Sequence, residues 1–271
     1  MKTRLLLFWL LLASSLAAQG QRRFISYAQS TVNLTREDGP AAAPQDKALG
    51  SGVVDANCRS LSFGQGIYVT VGPGPWIRTS TDGADWTERD SGTPFSLYAV
   101  AYGNGLFVAV GNEGAVVTSP DGIHWTRRDA ATDERLRSIV FGNNIFVAVG
   151  YAGTIITSRD GSRWTHRKSG TEERLLGIAF GSGTFVTVGW NGAILFSRDG
   201  RRWTQATSVT TLRLHSIGYC DGRFVARSEQ SASLTSADGA SWMEHAQTLP
   251  PVAYNLERPD GRFLQRTQAN R

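Results

Sequence analysis

The chain has 271 residues and a formal charge of +5 at neutral pH. No run of Lys or Arg forms a stripe that would follow a phosphate backbone, so the sequence argues against nucleic acid as a partner. The apolar run Leu5–Leu12 is too short to span a bilayer and no other long apolar segment follows, so we predict no membrane span.

The first eighteen residues have the features of a secretory signal peptide. Lys2 and Arg4 precede the apolar run, and small residues follow it up to Ala17 and Ala18. Removal of Met1–Ala18 would lower the formal charge from +5 to +3, because it takes two basic residues away. We therefore predict a secreted or periplasmic protein that is cleaved near Ala17 or Ala18.

Two short extended segments and a loop come next. Ile25-Ser26-Tyr27 is followed by Ala28–Thr35, in which Leu34 stands where the repeat described below has a tryptophan. Gly39–Gly52 is rich in Ala, Pro and Gly, a composition that predicts a loop insertion.

From Cys58 to about Pro251 the sequence repeats every thirty-nine residues. In the third unit, four short runs rich in Val, Ile, Phe and Thr predict four strands, which we name A to D. Asp-Gly joins strand C to strand D in every unit, and glycine supplies the positive φ that a tight hairpin needs. The predicted strands of this unit are A, Leu136–Phe141; B, Ile145–Val149; C, Thr154–Ser158; and D, Arg163–His166.

A period near forty with four short strands per unit is typical of β-propeller blades. Five units are complete, and a partial sixth is indicated because Asp221-Gly222-Arg223-Phe224 recurs as Asp260-Gly261-Arg262-Phe263. We predict one all-β domain over residues 24–271, a six-bladed propeller of four-stranded blades whose last blade is closed by strands from both termini. A five-bladed ring is the alternative.

The two cysteines occupy different places in their units. Cys58 starts strand A of the first unit, and Cys220 ends strand A of the fifth. These places lie at opposite ends of the inner strand of a propeller, beyond the reach of a disulfide. We expect two thiols, and a bridge formed in an oxidising compartment is the alternative.

Each C–D turn carries the motif S-x-D-G-x-x-W. These motifs resemble the Asp-box (BNR-type) repeats of sialidase-like propellers, which also occur in photosystem assembly factors and in exported repeat proteins; the motif here is one residue shorter between Asp and Trp. The resemblance implies a propeller with each motif on a C–D hairpin. We expect a structural role for the repeated aspartates and tryptophans, namely Asp82, Asp121, Asp160, Asp199 and Asp238 with Trp86, Trp125, Trp164, Trp203 and Trp242.

The sequence gives less evidence for catalysis than for the fold. The Arg-Ile-Pro motif of sialidases does not occur here, and the histidines and cysteines show no metal-ligand spacing. Arg135, Arg174 and Arg213 recur in register before strand A and are candidates for a ring at the channel mouth. Glu134 and Glu173 precede two of them, and we favour the alternative in which these residues form ion pairs from blade to blade. We expect no cofactor and favour a protein that is not an enzyme. A glycoside-active, sialidase-like hydrolase with a degenerate site is the alternative.

The residues that depart from the repeat concentrate in the B–C loops and at the second position of strand A. In propellers these places share one face with the D–A connections, opposite the C–D turns. Flat rings beside donors suit a protein or glycan ligand, and we predict a monomer that binds one through this face; unselected drift of the loops is the alternative. The candidate binding residues are Trp76, Tyr98, Arg137, Tyr151, Trp190 and His215, together with Arg135, Arg174 and Arg213.

Overall fold

The computed structural model describes residues 58–229 and 232–245, together with four short strands nearer the termini. Strands are numbered in chain order. The four outlying strands are β1 (Ile25–Ser26), β2 (Thr31–Leu34), β23 (Leu256–Glu257) and β24 (Phe263–Leu264). The predicted signal peptide Met1–Ala18 and the predicted insertion Gly39–Gly52 lie outside the described residues.

The chain folds into five four-stranded antiparallel units, each following the order A to D. Blade 1 consists of β3 (Ser60–Gly64), β4 (Ile67–Val71), β5 (Ile77–Ser80) and β6 (Thr87–Arg89). Blade 2 consists of β7 (Leu97–Gly103), β8 (Leu106–Gly111), β9 (Val116–Ser119) and β10 (Thr126–Arg128). Blade 3 consists of β11 (Leu136–Gly142), β12 (Ile145–Gly150), β13 (Ile155–Ser158) and β14 (Thr165–Arg167).

The last two complete units keep this plan. Blade 4 consists of β15 (Leu175–Gly181), β16 (Thr184–Gly189), β17 (Ile194–Ser197) and β18 (Thr204–Gln205), with a 3-10 turn at Trp190–Gly192. Blade 5 consists of β19 (Leu214–Cys220), β20 (Arg223–Ser228), β21 (Ser233–Ser236) and β22 (Met243–His245). The inner strands of successive blades contact one another in order, which is the arrangement of a β-propeller.

The blades are apolar on both faces because each one packs between two neighbours. In blade 3, Ile139 and Ile156 join a core cluster with blade 2. Val140 and Ile155 point to the other face and join a cluster with blade 4. Alternation along a strand therefore sends successive apolar side chains into two different cores rather than into one core and solvent.

A glycine at the end of strand A lets an aromatic ring of the next blade pack directly against the backbone in most pairs of blades. A β-carbon at Gly103 would collide with the ring of Phe141 in the next blade, and one at Gly142 would collide with Phe180. The same place in blade 5 is occupied by Cys220, and the residue thirty-nine positions after Tyr219 is Arg258 rather than an aromatic residue.

The N-terminal strands pair differently from the predicted closure. Ile25-Ser26-Tyr27 and Ala28–Thr35 were expected to complete a sixth blade with the C-terminal hairpin. Instead β1 pairs antiparallel with β19 and β2 pairs parallel with β3, while β23 pairs with β24. Because β1 and β2 also contact each other, they continue the series of inner strands from blade 5 back to blade 1. The number of blades stays a prediction.

Other expectations concern the membrane and the cysteines. Within the described ranges, no helix has the length and apolar character needed to cross a membrane. Cys58 and Cys220 are thiols with half-buried side chains, and the thiol of Cys58 lies 3.5 Å from the carbonyl oxygen of Ser60.

Candidate functional site

The C–D turns use their aspartates internally. In blade 3, Oδ1 of Asp160 accepts hydrogen bonds from the backbone N–H groups of Ser162 and Arg163, both at 2.9 Å, and from the hydroxyl of Ser158 at 3.0 Å. The indole N–H of Trp164 donates to the carbonyl oxygen of Gly161 at 3.0 Å, so the ring closes the turn and covers the blade. The Ser158, Asp160 and Trp164 side chains are thus paired within the seven residues of the motif.

The same geometry lowers the pKa values of these carboxylates. Backbone N–H donation from Asp85 and Ala84, with the Ser80 hydroxyl, lowers the pKa of Asp82 to about 2. The corresponding donors lower the pKa of Asp160 and of Asp238 below the usual range. Hydrogen bonds to the charged form explain the direction. The hydrogen bonds of the turns therefore keep these carboxylates ionised. In the described part of the chain, no group of three His, Cys, Asp or Glu residues has the arrangement of a metal site.

At the other end of the blades, backbone hydrogen bonds tie the B–C loops to the D–A connections. The N–H of Tyr151 donates to the carbonyl oxygen of Arg135 at 2.9 Å, and the N–H of Gly153 donates to that of Glu173 at 2.9 Å. The N–H of Trp190 donates to the carbonyl oxygen of Arg174 at 3.0 Å. Each loop is therefore held between the connection that enters its blade and the connection that leaves it.

β-Bulges set the direction of the second residue of strand A. The register between strands A and B skips Tyr98 in blade 2 and Arg137 in blade 3, and it shifts at the same place in blades 4 and 5. An extra residue in one strand turns its side chain away from the regular alternation. The bulges thus free Tyr98 and Arg137 from the blade core and direct them toward neighbouring blades.

The loop hydrogen bonds and the β-bulges together place guanidinium groups and aromatic rings in an alternating series, which we call the arginine–aromatic ladder. Arg174 is its centre, with Cζ 4.6 Å from the ring centroid of Tyr151 and 4.5 Å from that of Trp190. On one side Arg135 lies 5.0 Å from Tyr151, and on the other Arg213 lies 5.8 Å from Trp190. Guanidinium groups at these distances are attracted to the ring faces.

The ladder continues into blades 1 to 3 at Tyr98. The Cζ atoms of Arg59 and Arg137 lie 4.6 Å and 4.7 Å from the ring centroid of Tyr98, and Arg135 lies 5.7 Å away. We call these four residues the Tyr98 cluster. Burial lowers the pKa of Arg137, and the charges of Arg59 and Arg135 act in the same direction while Tyr151 and Tyr98 oppose it.

Polar contacts fix individual arginines of the ladder. Nε of Arg135 donates to Oδ1 of Asn112 at 2.7 Å, and its Nη1 lies 3.4 Å from the hydroxyl of Tyr151. Arg213 forms an ion pair with Glu229 at 3.7 Å. The alternative in which Glu134 and Glu173 pair with the arginines is replaced by ring contacts for Arg135 and Arg174.

The structure brings seven of the nine candidate binding residues into the ladder: Tyr98, Arg135, Arg137, Tyr151, Arg174, Trp190 and Arg213. Trp76 lies apart and contacts Arg78 of its own blade, with Cζ 4.6 Å from the ring centroid. His215 is half-buried in blade 5, where burial lowers its pKa and the charges of Arg213 and Arg227 add to that effect.

Two members of the site were absent from the predicted set. Arg59 occupies the same repeat position as Tyr98 and Arg137, and this register is the signal that would have included it. Asn112 occupies the loop position equivalent to Tyr151 and Trp190, and it accepts the hydrogen bond of Arg135. In both cases the contact crosses between elements distant in sequence, so the residue looks ordinary within its own unit.

Comparisons with known proteins give the fold of this chain. No family model matches, and no curated protein matches. Among solved structures, the chain is similar to YCF48 bound to D1 peptide, with a TM-score of 0.57, 17% identity and 75% of each chain covered. It is similar to YCF48 from Cyanidioschyzon merolae, with a TM-score of 0.54, 15% identity, and 69% of this chain and 71% of that one covered.

A further neighbour is the WD40 β-propeller domain of Doa1, with a TM-score of 0.55, 12% identity, and 72% of this chain and 70% of that one covered. At these identities the likeness establishes a β-propeller and nothing finer.

Proposed function

We propose that this chain is a non-catalytic binding module that holds a protein partner on the arginine–aromatic ladder. The observation that carries the proposal is the ladder itself, in which five successive blades contribute rings or guanidinium groups to one connected array. Arg and aromatic residues dominate the binding energy of protein interfaces because they combine large apolar area with directed donors. Their mutual stacking also restrains the side chains before a partner arrives, which lowers the entropic cost of binding.

A protein partner fits this surface better than a glycan does. Tyr151 has two guanidinium groups near its ring, from Arg174 at 4.6 Å and Arg135 at 5.0 Å. Trp190 likewise has Arg174 at 4.5 Å and Arg213 at 5.8 Å. Sugar rings bind by stacking on open aromatic faces, whereas these faces already have cationic neighbours. The exposed ends of the guanidinium groups are suited to backbone carbonyls and carboxylates of a peptide segment.

The alternative of a glycoside-active hydrolase draws less support from the site. Most glycoside hydrolases need a pair of carboxyl groups facing the scissile bond, and sialidases use a tyrosine nucleophile helped by a glutamate. On the ladder, Glu229 is paired with Arg213, and Oε1 of Glu173 accepts a hydrogen bond from the Asn191 amide at 2.7 Å. Both carboxylates therefore serve neighbouring side chains.

Two supporting arguments come from outside the site. One neighbour with a similar fold is YCF48 with a bound D1 peptide, so a propeller of this kind accommodates a peptide. The S-x-D-G-x-x-W motifs resemble Asp-box repeats, which are frequent in exported propellers. We propose accordingly that the protein acts as a monomer outside the cytoplasm, after removal of Met1–Ala18.

The test is a paired capture experiment. Wild-type protein and the double variant Tyr151→Ala/Trp190→Ala are immobilised and exposed to exported proteins of the source cells, and captured proteins are identified by mass spectrometry. We expect a partner that the wild type enriches and the double variant loses, because the two substitutions remove four of the five ring contacts of Arg135, Arg174 and Arg213. A glycan array run in parallel tests the other ligand class.

The matched control is Ile123→Ala/Met243→Ala, which removes two exposed apolar side chains away from the ladder. Thermal unfolding of all three proteins establishes that they are folded. Retention of every wild-type partner by Tyr151→Ala/Trp190→Ala would overturn the proposal, and binding to glycans alone would replace the protein partner by a carbohydrate.

A further inference from the structure

The C–D turns vary at three positions of their motif. In S-x-D-G-x-x-W, the residue after the serine and the two residues after the glycine differ from blade to blade. Blades 3 and 4 have arginine at five of their six such positions, whereas blades 1, 2 and 5 have none there. We call these five residues the turn arginines: Arg159, Arg163, Arg198, Arg201 and Arg202.

Packing between the blades joins the two turns into one surface. The side-chain amide of Asn143, in the A–B hairpin of blade 3, donates to the carbonyl oxygen of Arg198 at 2.9 Å. A β-carbon at Gly200 would lie 3.1 Å from the side chain of Val147, so the blade 4 turn rests on strand B of blade 3. That strand pairs with strand C, which leads directly into the blade 3 turn. Arginines on turns thirty-nine residues apart in sequence therefore share one patch.

The patch is exposed and positively charged with its own carboxylates counted. All five turn arginines are exposed, and the side chain of Arg163 is 92% exposed although its Nε forms an ion pair with Asp160 at 3.1 Å. Asp199 is the other acidic residue of the two motifs. Five positive and two negative charges leave the two turns with a net charge of +3 (5 − 2). A ligand in solvent can reach these guanidinium groups directly.

The surroundings of the patch favour a lipid surface as its partner. Ile123 occupies a variable position of the adjacent blade 2 turn, and this apolar side chain is 37% exposed. Phosphate groups match the planar fork of N–H donors that arginine presents. A bilayer interface with anionic headgroups offers these phosphates and also takes up apolar side chains that lie beside basic ones. A soluble polyanion offers the charges alone and makes no use of Ile123.

We propose that the turn arginines form a docking surface for a membrane that contains anionic phospholipids. Binding is peripheral, with the C–D turns against the headgroups and the arginine–aromatic ladder at the end of the blades that faces away from the lipid. Each arginine near an anionic surface adds to the attraction, and the attraction weakens as salt rises. The inference is independent of the proposed function, because it concerns other residues and another ligand.

The probes are vesicles of phosphatidylcholine alone and vesicles with two parts phosphatidylcholine to one part phosphatidylglycerol. Co-sedimentation is measured for the wild type, for Arg159→Gln/Arg201→Gln, and for Arg174→Gln/Arg213→Gln, which removes the same charge from exposed residues at the opposite end of the blades. All three proteins keep the same termini, so the apolar run Leu5–Leu12 contributes equally to each. Thermal unfolding establishes that the variants are folded.

We expect the wild type to prefer the anionic vesicles, and raised salt to weaken that binding. Arg159→Gln/Arg201→Gln should bind them roughly thirtyfold more weakly, because each basic residue near an anionic surface contributes a factor of about five. Arg174→Gln/Arg213→Gln should bind them as the wild type does. The substitution of glutamine keeps hydrogen-bond donors, so a loss reports the charge.

A second arm separates the lipid from a soluble polyanion by measuring the binding of dextran sulfate. Loss of vesicle binding by Arg159→Gln/Arg201→Gln supports the proposal, whether or not dextran sulfate is lost with it. Loss of dextran sulfate with vesicle binding retained overturns the membrane as the partner. The proposal also fails if the wild type binds both kinds of vesicle equally, or if both double variants lose vesicle binding to the same extent.

Discussion

The two ends of the blades differ in how their side chains are paired. At the C–D turns, every blade has the same Ser, Asp, Gly and Trp, and the hydrogen bonds stay within the turn. At the ladder, the residues change from blade to blade and the contacts run between blades. Groups that are satisfied locally and repeated identically stabilise a blade. Groups on loops that differ from blade to blade are the ones on which recognition is usually built.

The first prediction concerns the ring that covers the C–D turn. Trp164 is 8% exposed and belongs to the core shared by blades 2 and 3. We expect Trp164→Ala to lower the free energy of unfolding by about 3–5 kcal/mol, the range for truncating a large buried aromatic residue. Urea denaturation measures the loss. Partner capture by the protein that remains folded should be unchanged, and a selective loss of capture would show that the two ends are not separate.

The strand pattern was predictable because each signal is local. Strands A and B of the third unit were predicted as Leu136–Phe141 and Ile145–Val149, and each extends one residue further in the structure. Strand D was predicted as Arg163–His166 and is Thr165–Arg167. It begins later than predicted because the hydrogen bonds of the C–D turn extend to Arg163 and Trp164. Apolar periodicity and turn glycines determine such features over a few residues.

The ladder was predictable only in part because its contacts cross blades. Tyr151 and Trp190 were found since they depart from the repeat in a known loop. The partners of Arg135 and Arg174 were not determined, because Glu134 and Glu173 stand next to them in sequence and an ion pair fits the pattern equally well. Whether each arginine contacts a ring or a glutamate depends on the direction of its side chain. The hydrogen bonds of the loops set that direction, and the spacing of residues in the sequence does not reveal it.

The second prediction tests the packing between blades. A β-carbon at Gly142 would collide with the ring of Phe180. We expect Gly142→Ala to cost about 1–3 kcal/mol of unfolding free energy, as overpacking of a tight contact does. Urea denaturation measures the loss. The control is Ile123→Ala, which truncates an exposed apolar side chain on a C–D turn, and we expect it to stay within about 0.5 kcal/mol, the range for surface sites. Equal losses would mean that Gly142 is not confined by packing between the blades.

The third prediction uses acid to separate the two ends. The pKa of Asp82 falls from 3.8 to about 2 on folding, so this carboxylate adds stability that is complete above pH 3.8 and is lost as the pH falls toward 2. The pKa of Asp160 is lowered in the same direction by the N–H groups of Arg163 and Ser162.

We therefore expect Asp160→Ala to cost about 1–2 kcal/mol at neutral pH, from lost turn hydrogen bonds. The difference from the wild type should shrink in acid. Urea denaturation at neutral pH and near the pKa of the folded state measures both values. A cost that is independent of pH would show that the carboxylate charge contributes nothing to the turn.

The last prediction has the smallest expected effect and concerns the centre of the ladder. Arg174→Lys keeps the positive charge and removes the planar group that contacts Tyr151 and Trp190. At an exposed site, a cation–ring contact is worth about 0.5–1 kcal/mol. A double-mutant cycle with Trp190→Leu isolates the part of this energy that depends on the planar guanidinium group, because the lysine ammonium is still attracted to a ring while leucine keeps apolar bulk without a ring face. We expect a favourable coupling between Arg174 and Trp190 in urea denaturation, and none between Arg163 and Trp164 on the C–D turn, where the arginine side chain bonds to Asp160 instead. A coupling near zero at Arg174 would mean that the rings and guanidinium groups are neighbours without mutual restraint, and the argument that the ladder is organised before its partner binds would fail.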